Sequence, residues 1–156
     1  MTKLIEQIET ALPPEAAFAF VADFANSMDW DPGVATSEGL DDGPARVGSR
    51  YRLGVRLAGR VAPMEYRITV FEPSRRVVLA GAGSRVSAVD EIRFTAAGSG
   101  TRIDYTADIR LGGVLRLVQP FLGGQFARIG HEALTGMKRT LDARAEALAS
   151  APVELS

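Results

Sequence analysis

The sequence predicts an α+β fold in which an antiparallel sheet packs against one long C-terminal helix. Upstream of residue 112, four segments alternate between large apolar residues and arginines, as strands do when one face of their sheet is buried and the other solvated. From about residue 112 to 149, apolar side chains recur at steps of three or four residues, which places them on one face of a helix. These helical positions are Leu115, Val118, Leu122, Phe126, Ile129, Ala133, Met137 and Leu141.

Size and composition indicate a single soluble domain. The 156 residues are long enough to bury a core, and their hydrophobic (46%) and charged (24%) fractions are ordinary for a globular protein. We expect one domain over residues 1–150 and a frayed tail over residues 151–156. The net charge of −1 gives no electrostatic reason to expect nucleic acid or an anionic membrane as a partner.

The chain has no cysteine and a single histidine, which excludes disulfides and thiolate metal sites and leaves no clustered set of transition-metal ligands. We therefore predict no metal and no cofactor. The N-terminus lacks an apolar signal region, and no apolar run approaches the length of a membrane span. We expect a cytoplasmic protein, monomeric or homodimeric, without stable membrane insertion.

The first third of the chain predicts one strand and two short helices. Residues 4–10 alternate as a strand, and the prolines at 13 and 14 favour the start of a helix over residues 16–22. Residues 23–32 form a second short helix or a turn, which carries the only tryptophan, Trp30.

The four alternating strands are predicted over residues 50–57, 64–70, 86–94 and 103–110. Gly98-Ser99-Gly100 closes a hairpin between the last two. Residues 77–80 are apolar on both faces, so the sequence leaves their inward side open. In the C-terminal stretch, Pro120 and then Gly123-Gly124 predict a short helical turn, a bend and the main helix. This bend is either a mobile gate or an ordinary helix start.

Asp90 is the most informative polar residue. If Val86, Ala88 and Ile92 face the helix, alternation makes Asp90 face it too, as the only inward carboxylate of the four strands. A carboxyl group in an apolar cavity has a raised pKa, which suits acid–base chemistry or ligand orientation. The alternative is a rim residue that bonds a loop amide or an arginine.

The three tyrosines, Tyr51, Tyr66 and Tyr105, face inward by the same alternation, as ligand contacts or as ordinary core residues. Counting back from the hairpin pairs Ile92 with Tyr105 and Asp90 with Ala107. Asp90 and Tyr105 are then diagonal neighbours and form the predicted polar spot of the site.

Other polar positions are weaker candidates. His131 falls on the charged face of the helix, and Asp29 and Asp31 lie in a turn rather than in a metal-binding pattern. Met28, Trp30 and Met64 are candidates for an adaptable cavity wall, or they complete the core.

Five segments in this order resemble the SRPBCC (START/Bet v 1-like) superfamily, within its polyketide cyclase/dehydrase group. They are PPEAAFAFVAD, MDWDP, VFEPSRRVVL, GSGTRIDYTADIRLGG and LTGMKRTLDARAE. The resemblance implies a helix-grip fold, in which a curved antiparallel sheet of about seven strands wraps around the long helix, with two short helices after the first strand. It also implies a deep cavity that holds an apolar small molecule.

The first functional hypothesis is a binding protein for a lipid- or polyketide-like molecule, oriented by Asp90 and Tyr105. The second is a cyclase, aromatase or dehydratase that uses this pair for catalysis. The third is an interaction module, which would need an exposed apolar patch that the arginine-rich face argues against. The predicted ligand contacts are Met28, Trp30, Tyr51, Val55, Met64, Tyr66, Asp90, Ile92, Tyr105, Leu122, Phe126 and Ile129.

Overall fold

The computed structural model describes residues 2–57 and 59–150, so the predicted tail at 151–156 lies outside the described residues. The strands are β1 (Thr2–Thr10), β2 (Val34–Gly39), β3 (Arg50–Leu57), β4 (Arg60–Glu72), β5 (Arg76–Ala82), β6 (Val86–Ala97) and β7 (Gly100–Leu111). The α-helices are α1 (Pro14–Val21), α2 (Ser27–Trp30) and α3 (Gly123–Ala149). Single 3-10 turns occupy Phe24–Asn26, Gly113–Leu117 and Gln119–Phe121.

The strands form one antiparallel sheet in the order β1-β7-β6-β5-β4-β3-β2, which curls around α3. The predicted helix-grip architecture is confirmed. Helix α3 is tied to the end of β1, where the Thr10 hydroxyl donates to an Asp142 carboxylate oxygen 2.6 Å away. The inner face of the sheet and α3 therefore enclose the space in which the core and the candidate site lie.

The two faces of the sheet divide as the alternation predicts. Arg52 and Arg67 are exposed on the outer face, while Leu53 and Ile68, their neighbours in sequence, are buried. The sequence did not predict which residues of β5 face inward. Strand pairing shows this, because Leu79 lies opposite Asp90 and shares its inward face.

Strand β2 is a finding of the structure. Its sequence, VATSEG, has one buried residue, Val34, and its register against β3 shifts between Val34 and Thr36. An edge strand with one buried side chain leaves too little hydrophobic periodicity to be recognised from the sequence.

The C-terminal helix begins at Gly123 rather than near residue 112, as the predicted bend requires. Two 3-10 turns precede it, and Val118, predicted on the inward face, is exposed. The Gln119 side chain holds this segment in place, accepting from the Leu111 amide at 3.0 Å and donating to the Ile109 carbonyl at 2.9 Å. Within α3, the predicted inward residues Phe126, Ala133, Met137 and Leu141 are buried.

At one end, helix α1 closes the space between α3 and the sheet. The Phe18 ring meets the rings of Phe71 and Phe94 edge-on, each at a centroid distance of 5.2 Å. Ile103 and Leu141 complete this cluster without any measurable exposure. We call this region the closed end.

Candidate functional site

A cavity lies under the middle of α3, in the half of the molecule away from α1. This inner cavity has a volume of about 120 Å³. Its floor is formed by inward residues of β3, β6 and β7, and its roof by Ile129 and Ala133 of α3. The small side chains Ala88 and Ala107 leave the space that a larger residue would fill.

The inner cavity continues toward the end of the molecule opposite α1. A middle chamber of about 70 Å³ shares Val55, Tyr66 and Ile129 with it. A wider groove of about 490 Å³ follows, lined by the β3–β4 and β5–β6 connections and by Leu115 and Leu122. Ile129 lines all three spaces, so they adjoin one another along α3. We call the outermost of them the mouth groove.

Asp90 and Tyr105 meet at the inner cavity, where the Tyr105 hydroxyl donates a hydrogen bond to an Asp90 carboxylate oxygen. The register places Ile92 opposite Tyr105 and Asp90 opposite Ala107, as counted from the hairpin. The carboxylate is only 6% exposed, so it is a buried group and not a rim residue.

Burial raises the pKa of Asp90 to about 7, and the hydrogen bond from Tyr105 only partly opposes this shift. The nearby Asp31 carboxylate adds a smaller rise. Burial also raises the pKa of Tyr105 well above its usual value, so its hydroxyl keeps its proton. Near neutral pH, Asp90 is present in both protonation states, which is the condition a group needs to accept and return a proton.

Trp30 and Ser27 line the inner cavity, and each has a buried polar atom without a hydrogen-bond partner within the described chain: the indole nitrogen of Trp30 and the hydroxyl oxygen of Ser27. Helix α2 holds both, and it approaches α3 so closely that a Cβ on Gly136 would lie 2.1 Å from the Trp30 carbonyl oxygen. A buried donor without a partner costs free energy, which a ligand oxygen would recover.

Two carboxylates that the sequence analysis did not assign to the site also line the inner cavity, Asp31 and Glu6. Burial raises the pKa of Asp31 to about 6, although the Gly33 amide donates to it at 2.7 Å. Glu6 lies between Leu4 and Ile8 on the inward face of β1, so strand alternation alone predicts its orientation. Asp31 follows a four-residue helix, which is too short for a hydrophobic period to predict where the Asp31 side chain points.

The structure separates the predicted ligand contacts into groups. Six line the inner cavity or the middle chamber together with Asp90 and Tyr105: Trp30, Val55, Met64, Tyr66, Phe126 and Ile129. Leu122 lines the mouth groove. Tyr51 and Ile92 are buried in the core beside these spaces, and Met28 is 50% exposed at the surface.

Tyr66 occupies the boundary between the inner cavity and the middle chamber. Its ring lies against Gly81, where an added Cβ would be 2.5 Å from a ring carbon. Its hydroxyl contacts the Met64 sulfur at 3.9 Å. His131 remains outside the site, with its side chain 75% exposed and its Nδ1 3.9 Å from a Glu6 oxygen.

The described chain contains no group of three or more His, Asp or Glu side chains arranged to hold a metal ion. None of the helices in residues 2–57 and 59–150 combines the length and hydrophobicity needed to span a bilayer.

Comparison with known proteins agrees with this architecture. A family model described as polyketide cyclase / dehydrase and lipid transport matches residues 1–142. The fold is similar to that of the Zhui aromatase/cyclase from Streptomyces sp. R1128, with a TM-score of 0.73, 17% identity and 96% of each chain covered. No curated protein sequence matches the chain.

Two further solved structures share the fold. A START superfamily protein from Mycobacterium smegmatis has a TM-score of 0.71 and 17% identity, with 95% of this chain and 99% of that chain covered. The protein TTHA0849 from Thermus thermophilus has a TM-score of 0.72 and 18% identity, with 95% of this chain and 99% of that chain covered.

Proposed function

The chain belongs to the polyketide cyclase / dehydrase and lipid transport family, and from this membership and the cavity we propose that it binds an elongated apolar molecule with a neutral oxygen at its inner end. The observation that carries the proposal is an apolar cavity lined by Trp30 and Ser27, each of which has a buried polar atom, Nε1 and Oγ, without a hydrogen-bond partner among the described residues. A ligand oxygen there accepts from the indole, while its hydrocarbon part lies along Ile129 and Phe126 toward the mouth groove.

The charge of the inner cavity supports a neutral oxygen, such as that of a ketone, an alcohol or a phenol. Asp90, Asp31 and Glu6 all line this space. A ligand carboxylate would meet these acidic groups at short range, and in a buried site like charges repel strongly. A fatty acid anion is therefore the disfavoured form of an apolar ligand.

The single tryptophan makes this proposal directly measurable, because Trp30 lies in the cavity wall. A long-chain methyl ketone should change the Trp30 fluorescence at lower concentration than a fatty acid of the same chain length at neutral pH. Equal affinity for the two probes, or no fluorescence change with either, would contradict the proposal.

A matched pair of variants separates cavity binding from surface adsorption. Ala88→Phe fills the inner cavity and the middle chamber, so it should abolish ketone binding. Ala80→Phe adds the same ring on the exposed outer face of the neighbouring strand and should leave binding unchanged. Native mass spectrometry of the protein purified from cells would then identify any molecule that occupies the cavity.

The second candidate function is acid–base catalysis on such a ligand, as in a cyclase or dehydratase. It is favoured by one observation, the Asp90 carboxyl with a pKa of about 7 beside the Tyr105 hydroxyl. A carboxylate there is able to remove a proton from the carbon next to a bound ketone, and the Tyr105 hydroxyl would donate to the developing enolate oxygen once it releases its hydrogen bond to Asp90.

Deuterium exchange tests this step without a known substrate. When the methyl ketone is incubated with the protein in D₂O, the protons on the carbons next to its carbonyl should be replaced by deuterium. NMR measures the rate of this exchange. Asp90→Asn should slow the protein-dependent exchange by about 10²–10⁴ while the ketone still binds. If the native protein does not accelerate the exchange, the catalytic candidate is refuted and only the binding function remains.

A further inference from the structure

We propose that the end of the molecule around the mouth groove is a docking surface for anionic lipid bilayers. The proposal concerns residues 113–122, which we call the mouth segment, and the two strand connections that line the groove beside it. It does not depend on which molecule occupies the inner cavity.

The mouth segment exposes large apolar side chains in succession. Phe121 is 85% exposed and Leu117 is 77% exposed, and Val114 and Val118 lie beside them in the chain and are also exposed. Monomeric soluble proteins rarely expose several large apolar residues together, and such patches mark sites of interaction with membranes or proteins. We call these four residues the mouth patch.

The mouth patch is held outward by the fold. The Gln119 amide is buried and bonds the Leu111 amide, the Ile109 carbonyl and the Thr2 hydroxyl at 2.9–3.0 Å. With Gln119 anchored on β7 and β1, Leu115 and Leu122 face the groove while Leu117 and Phe121 point away from the protein. The segment therefore presents its apolar side chains to the exterior in a defined arrangement.

Positive charge surrounds the mouth patch. Arg116 lies within the segment, and Arg60 and Arg85 line the groove from the two strand connections. No ion pair among the described residues involves these three arginines. The stretches that line the groove, residues 57–63, 84–86 and 111–129, contain no Asp or Glu. The net charge of −1 conceals this asymmetry.

A combination of protruding apolar side chains and arginines fits the interface of an anionic bilayer. Leucine and phenylalanine side chains enter the boundary between headgroups and acyl chains, while arginines contact the lipid phosphates. A second copy of this chain would bring the same arginines together, and like charges across a contact oppose it. A bilayer also accommodates side chains that project singly, whereas a protein partner needs a matching pocket for each one.

Docking in this orientation would place the mouth groove against the acyl chains, since Leu115 and Leu122 line the groove from the same segment. An apolar ligand would then enter or leave without crossing water. This consequence rests on the proposed binding function, whereas the docking itself does not.

Vesicle co-sedimentation tests the docking surface with the full chain. We expect binding to vesicles of phosphatidylcholine and phosphatidylglycerol in equal amounts, and weak binding to phosphatidylcholine alone. Phe121→Ser or Leu117→Ser should weaken binding on the order of tenfold, and Arg116→Gln by about fivefold. High salt should reduce the binding of the native protein.

The control for loss of an exposed apolar side chain is Ile5→Ser. Ile5 is 71% exposed on the outer face of β1, away from the mouth groove, so this variant should bind vesicles like the native protein. Asp90→Asn should also bind vesicles like the native protein. This variant distinguishes a loss of membrane docking from a loss of ligand binding in the inner cavity. Circular dichroism verifies that each variant is folded.

Three results would overturn the proposal: no binding to the anionic vesicles, equal binding to both kinds of vesicle, or equal loss of binding in Ile5→Ser and Phe121→Ser. If vesicles do not bind and sedimentation velocity detects a dimer that Phe121→Ser dissociates, the mouth patch is instead a contact between two copies.

Discussion

The two ends of the space between α3 and the sheet use similar side chains in opposite ways. At the closed end, helix α1 covers the sheet and the Phe18 ring packs against two other rings. At the mouth groove, no helix of the described chain takes the place of α1, and Phe121 remains exposed. Phenylalanine stabilises the fold at one end and is available for interaction at the other. Its role therefore depends on whether another element packs over it and not on the residue type.

The closed end contributes mainly to stability, whereas the region from the inner cavity to the mouth groove is available for binding. Burial of apolar area at the closed end is the driving force for folding. Between the ends, the small residues Ala88 and Ala107 leave a cavity, and Asp90 places a buried carboxyl group beside it that accepts a hydrogen bond from Tyr105. The closely packed rings of the closed end and the polar cavity therefore occupy separate parts of the space between α3 and the sheet.

The largest effect is expected at the closed end. Phe18→Ala should lower the free energy of unfolding by about 3–5 kcal/mol, because a buried ring is lost and its neighbours cannot fill the space. Chemical denaturation measures this difference. The matched control is Phe121→Ala at the mouth, which should change stability by no more than about 0.5 kcal/mol. Similar costs for the two variants would refute the contrast between the ends.

The next effect concerns the charge in the inner cavity and depends on pH. Because the pKa of Asp90 is raised from 3.8 to about 7 in the folded protein, its contribution to stability is fully present below about pH 4 and is lost as pH rises through 7. Asp90→Asn removes the ionisation and nearly preserves the shape. The stability of the variant relative to the native protein should therefore increase by up to about 4 kcal/mol between about pH 4 and pH 8.

Denaturation of both proteins across this pH range measures the effect, and their difference reports Asp90 together with its coupling to Asp31. A difference that stays constant with pH would mean that Asp90 ionises without penalty in the folded state, and the acid–base candidate function would lose its basis.

A smaller effect is expected at Phe126, which lies between the two ends. Its ring is buried, yet it lines both the middle chamber and the mouth groove, so it borders open space as well as packed side chains. Phe126→Ala should cost about 2 kcal/mol, less than Phe18→Ala, and should also weaken ketone binding measured by Trp30 fluorescence. A loss as large as that of Phe18→Ala with unchanged binding would assign Phe126 to the core.

Much of the candidate site was predictable because strands and helices have fixed local periods. Alternation in β6 oriented Asp90, and the two-residue turn of the following hairpin set its register with Tyr105. The prediction that an apolar patch is absent was wrong, because it considered only the outer face of the sheet. The mouth patch lies in 3-10 turns, where the helical spacing that placed Val118 inward does not apply.

The sequence by itself determined which residues share a face, the register of the last hairpin and the position of the bend before α3, because these follow from local geometry and from the backbone limits of proline and glycine. Only the tertiary structure decided that Asp31, Glu6 and Ser27 join Asp90 around one cavity, and that Phe18 is covered while Phe121 is not. These outcomes depend on the curl of the sheet and on how elements distant in sequence pack over it, and no local period encodes that packing.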